Sequence, residues 1–123
     1  MPTATLTLPA TAEQARTARL VAGAAARRAG VDPEALDDVR LAVAEALAQA
    51  VFRAGGNLDG LVRLDMTDGA DSFEISITDG QAIEATDEAA GLSLSLIRAL
   101  APQARVAGHG AASRLVLRWP VDD

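Results

Sequence analysis

Cysteine is absent from the 123-residue chain, so neither a disulfide framework nor a thiolate metal site can form. Aromatic residues are scarce: Phe52, Phe73 and Trp119, with no tyrosine. The core must therefore be assembled from Ala, Val, Leu and Ile. One histidine, His109, is too few for a multi-histidine metal site or a histidine-based triad. Set between two glycines, it reads as a turn residue. No apolar run is long enough to span a membrane, and Met1-Pro2-Thr3 opens no targeting pattern. Basic charge is also in deficit. The formal net charge of −6 argues against nucleic acid and anionic membrane as partners, because both need basic surface. A soluble cytoplasmic protein is the expectation.

Half of the residues are hydrophobic, which suits a single domain over residues 1–123 built on one core. Repeats, linkers and low-complexity tails are missing. Residues 3–8 alternate with period two and read as a first strand, stopped by Pro9. Thr11 with Glu13 and Gln14 reads as the cap of a helix running to about Arg28. Its apolar stripe is Ala15, Ala18, Ala22 and Ala25/Ala26, and Gly30 ends it. Asp32 as N-cap, Pro33 at the first helical position and Glu34 in the first turn restart a helix that stops at Gly55-Gly56. A turn over 57–60 leads to a strand at 61–67. A hairpin turn at 68–71 leads to a half-buried strand at 72–79, and residues 80–90 read as an acidic loop. Gly91 is expected to open a third helix, with Leu92, Leu96 and Leu100 as its core stripe. Short strands at 104–107 and 113–119 complete the order β-α-α-β-β-loop-α-β-β. That order predicts an α+β two-layer sandwich: a mixed, mostly antiparallel sheet covered on one face by about three helices.

The second helix contains Leu41-Ala-Val-Ala-Glu45-Ala-Leu-Ala-Gln49-Ala-Val-Phe52. It is apolar on nearly every side, the mark of a buried helix. Only Glu45 and Gln49 interrupt it, one turn apart on one face. A buried carboxylate must be paired or used, so these two residues mark a polar site or an edge turned to water.

The segment from Asp37 to Gln49 resembles part of the GHKL (Bergerat-fold) ATP-binding domain, in the form found in small bacterial anti-sigma factors that are serine-protein kinases. The resemblance covers nearly the whole chain. It implies that Glu45 stands where the family has its catalytic base in Glu-x-x-x-Asn. Gln49 then stands at the Asn that ligates Mg²⁺. Asp79 stands at the Asp of Asp-x-Gly-x-Gly that reads the adenine amino group, with Gly80 one place early. Ala90-Gly91-Leu92-Ser93-Leu94 resembles the glycine-rich third motif that faces the phosphates, with Gly91 retained and Ser93 in place of a glycine. These departures bear on chemistry. Gln reaches one methylene further than Asn, and Mg²⁺ demands near-ideal octahedral geometry. Motif glycines let backbone amides approach phosphate oxygens. The segment between Asp79 and Gly91 is short for a lid, and it is acidic.

The resemblance implies a cytoplasmic transcription regulator of anti-sigma type. On the first reading it holds a sigma factor or an anti-sigma antagonist by protein–protein binding, as a homodimer, with degenerate nucleotide motifs. The alternative is an active ATP-dependent serine-protein kinase, with Glu45 as base, Gln49 on Mg²⁺, Asp79 on adenine, and Gly80, Gly91 and Ser93 lining the nucleotide. A third reading is a structural or dimerisation module. Arg27, Arg28, Arg40 and Arg53 are candidates for contact with an acidic partner, or plain solvated cations.

Overall fold

A computed structural model describes residues 2–55, 59–81, 83 and 88–121. Among them the chain forms five strands and three α-helices in the expected order. Strand β1 is Ala4–Pro9, and Pro9 is its last paired residue, opposite Leu61. Helices α1 (Ala15–Ala29) and α2 (Leu36–Ala54) follow. Then come β2 (Leu61–Asp68), β3 (Ser72–Thr78), α3 (Glu88–Leu100), β4 (Arg105–Ala107) and β5 (Arg114–Pro120). The strands form one sheet in the order β1-β2-β3-β5-β4. Every pairing is antiparallel, so the sheet is not mixed.

Period-two patterning decides which face of the sheet is wet. Val62, Leu64 and Met66 of β2, Phe73, Ile75 and Ile77 of β3, and Leu115, Leu117 and Trp119 of β5 are buried. The opposite face carries polar partners: Thr5 donates to Asp65 at 2.8 Å, Arg63 reaches the same carboxylate at 3.0 Å, and Glu74 lies in register with Arg118. Helices pack against the apolar face through small side chains. Ala18, Ala22 and Ala26 of α1 and Ala42, Ala46 and Ala50 of α2 are fully or almost fully buried, which lets the helix axes come close. Trp119 spans the two layers, and its indole N–H donates to the Leu100 carbonyl at 3.2 Å. That bond closes one of the free carbonyls at the end of α3.

The helix boundaries and faces follow local chemistry, with a few departures. Asp32 caps as expected, accepting from the Glu34 amide at 2.9 Å, though the first turn after Pro33 is 3₁₀ and α2 proper begins at Leu36. Both α1 and α2 end on glycines in the left-handed region, Gly30 and Gly55. Thr11 is extended but its side chain caps nothing, because a 3₁₀ turn at Ala12–Gln14 separates it from α1. Gly91 does not open α3. The helix begins at Glu88, so the expected loop at 80–90 is shorter by three residues; residues 82 and 84–87 lie outside the described set.

A further departure concerns burial. The stripe expected to be core on α3 faces outward: Leu92 is 71% and Leu96 50% exposed, while Ser93 and Ile97 are buried. Likewise α2 is not buried all round, since Leu41 and Phe52 lie on an open face at 55% and 69% exposure. A two-layer sandwich gives each helix only one buried side, and helical geometry lets one register reach it. The most buried register is Ser93 and Ile97 of α3 with Ala101 just beyond it, which leaves Leu92 and Leu96 outside while Leu94 and Leu100 pack at its border.

Candidate functional site

Three polar side chains of α2 follow one another at four-residue spacing: Glu45, Gln49 and Arg53. This spacing stacks them along one edge of the helix. That edge faces α3 and the C-terminal end of β3. Glu45 is half-buried and accepts a hydrogen bond from the Ser93 hydroxyl at 2.9 Å. At the other end, Arg53 Nε meets Asp79 Oδ2 at 2.8 Å. Asp79 follows β3 directly, and its side chain is only 3% exposed, against 21% for Arg53. Its second oxygen accepts from the Gln81 amide at 3.0 Å. Both carboxylate oxygens are thus engaged within the protein.

Gln49 sits between these two contacts. It is half-buried, with no hydrogen-bond partner among the described residues. Its amide lines a cleft between α2, α3 and the sheet together with Arg53, Ser93 and Leu94. Ile77, Ile97 and Leu115 supply an apolar wall. The space inside is about 30 Å³, room for about two water molecules.

The fold thus brings Gln49 and Ser93 to one cleft, with Glu45 bonded to Ser93 and Asp79 joined to the cleft through Arg53. Gly80 follows Asp79 as an exposed turn residue with φ of +77°. Gly91 lies inside α3, and a Cβ added there would touch nothing within 4 Å, so the described structure does not require a glycine at that position. Ser93 is a further two residues into the helix. By helical geometry its amide is committed to a carbonyl four residues back, and its hydroxyl is committed to Glu45. Among the described residues no group of three or more His, Cys, Asp and Glu gathers as a metal site.

Arg53 is the member of this cluster that sequence reasoning placed elsewhere, as a solvated cation or a partner contact. The signal that could have found it is its spacing, one turn beyond Gln49 on the edge that begins at Glu45. The remaining candidate cations behave differently. Arg28 lies 3.7 Å from Asp68, and Arg40 bonds Asp37 at 2.9 Å on the surface of α2. His109 is exposed ahead of a 3₁₀ turn.

No helix among the described residues is long and apolar enough to cross a membrane. No curated protein sequence matches the chain. The crystal structure of the RsbU and RsbW domains of Rv1364c from Mycobacterium tuberculosis aligns with 98% of the chain at a TM-score of 0.69 and 21% identity. At that identity the likeness is one of fold, and the chain spans 32% of that protein's length. A family model described as histidine kinase-like ATPase domain matches residues 8–119. With nearly its whole length matched and the cleft built on the helix that carries Glu45 and Gln49, the chain belongs to the histidine kinase-like ATPase domain family.

Proposed function

We propose that this chain is an anti-sigma-factor-like regulator that acts by protein–protein binding on a nucleotide site that no longer serves catalysis. The observation that carries this reading is the Arg53–Asp79 ion pair at 2.8 Å. The carboxylate expected to read an adenine amino group already has a guanidinium as donor and a backbone amide on its other oxygen. An incoming base would have to displace a charge-assisted bond, roughly twice as strong as a neutral one. Three further features support it. The cleft beside Gln49 is narrow, with about 30 Å³ of space among its described walls. Glu45, the expected base, is held by Ser93 at 2.9 Å. Gln49 is the one uncommitted polar group of the three on α2. On this reading the internal bonds of Asp79 and Glu45 disfavour a nucleoside triphosphate with its Mg²⁺. The partner on this reading is a sigma factor or an anti-sigma antagonist, and the chain works as a homodimer in the cytoplasm.

The test is calorimetric titration of ATP and of ADP with Mg²⁺. No heat of binding is expected up to millimolar nucleotide. Micromolar binding that Asp79→Ala abolishes would overturn the reading in favour of an active serine-protein kinase.

A further inference from the structure

The cations of this chain are unevenly placed. All eleven are arginine, and α1 carries four of them, Arg16, Arg19, Arg27 and Arg28, with no acidic residue. The chain as a whole has a net charge of −6, so setting aside the four positive charges of α1 leaves −10 on the remainder. Arg16, Leu20, Ala24 and Arg27 recur at helical spacing and are all exposed, forming one ridge. At 1.5 Å rise per residue the ridge is about 16 Å long. It borders an open groove of about 480 Å³, lined by Leu20, Gly23, Ala24, Arg27, Arg28 and Arg40.

The groove is a built feature. Gly23 is buried in mid-helix, and a Cβ there would stand 2.7 Å from Arg40 Nε and 3.3 Å from its Cγ. The Arg40 side chain therefore lies across α1 at the one residue that leaves it room. Glycine at an interior helix position is less favourable than alanine. Asp37 holds the crossing guanidinium at 2.9 Å. Arg27, one turn from Gly23, has no ionic partner among the described residues. The result is an apolar strip of Leu20 and Ala24 with guanidinium groups beside it, on a molecule otherwise acidic.

We propose that this α1–α2 groove docks an acidic amphipathic helix of a partner protein. Its apolar residues would lie on Leu20 and Ala24, and its carboxylates would reach Arg27, Arg40 and Arg16. Helix-in-groove recognition uses anchors at this spacing, and complementary charge sets orientation and on-rate. A nucleic acid fits less well, because the negative charge on the remainder of the chain repels a polyanion longer than the groove. The proposal rests on the binding-regulator reading and locates where binding occurs.

The probe is a fluorescein-labelled synthetic peptide helix with Leu at i and i+4 flanked by Glu, followed by anisotropy and by amide chemical shifts of the intact chain. Saturable binding that shifts residues 20–28 and 40 and weakens with added salt is expected. Arg27→Glu with Arg40→Glu should weaken it about tenfold or more, with the far-ultraviolet circular dichroism unchanged. Gly23→Ala, which displaces Arg40 while keeping every charge, should weaken it by a smaller factor. A Lys-for-Glu peptide should not bind. The proposal is overturned by equal binding to the double variant, or by shifts confined to α3. It is also overturned if a DNA duplex or phosphatidylserine vesicles compete the peptide off at lower concentration. A dimer that dissociates on Arg27→Glu, measured by light scattering, makes a second copy the occupant and overturns it too. Failure of the peptide while ATP also fails to bind rejects the groove alone; ATP binding rejects the underlying reading.

Discussion

Replacing Arg53 with methionine isolates the ion pair at the cleft. Methionine keeps a flexible apolar stem, so what is lost is the guanidinium and not the packing. Asp79, with a side chain 3% exposed, then retains only the Gln81 amide. Removing one partner of a fully buried pair costs about 3–5 kcal/mol. Arg53 is 21% exposed, which admits some water and solvates its own charge in the native protein. The expected loss is therefore about 2–3 kcal/mol, or a fall in Tm of about 10 °C for a domain of this size. Urea unfolding followed by fluorescence reads it directly, since Trp119 is the only tryptophan and is buried. The same substitution made on Asp79→Asn should cost about 1 kcal/mol or less, because a neutral amide is less penalised by burial than an unpaired carboxylate. A loss below about 0.5 kcal/mol for Arg53→Met, or an equal loss in both backgrounds, would refute the view that Arg53 is the partner that commits the buried Asp79 carboxylate.

Three further outcomes are expected from the geometry. Phe73→Ala removes a fully buried ring near the start of the central strand and should cost about 3–5 kcal/mol in urea unfolding. Asp32→Ala deletes the acceptor for the Glu34 amide and should cost about 1 kcal/mol, visible as a small drop in thermal midpoint. Ser93→Ala frees Glu45 from its donor; the loss should be about 1 kcal/mol by the same unfolding assay, with no gain of ATP binding by calorimetry.

Much of the cleft was legible because its parts share one helix. The four-residue spacing of Glu45 and Gln49 places them on one edge whatever packs there, and the strand ending at Thr78 brings Asp79 to the sheet terminus. What was not legible was which groups would pair across elements. Ser93 and Glu45 are 48 residues apart and Arg53 and Asp79 are 26 apart; local pattern carries no information about such meetings. The leucines of α3 failed for a related reason. Leu92, Leu96 and Leu100 and the register of Ser93, Ile97 and Ala101 both recur at helical spacing, and periodicity alone cannot choose between them.

By itself the sequence determined the order of elements, the glycine ends of α1 and α2, the Asp32 cap and the wet and dry faces of the strands. These follow from backbone freedom, short-range hydrogen bonds and a period of two, all settled within a few residues. The tertiary structure decided that α3 starts at Glu88 with Leu92 and Leu96 outward, that every strand pairing is antiparallel, and that Arg53 turns inward to Asp79. Each of those depends on which surfaces compete for one limited apolar layer, and only the packed chain resolves that competition.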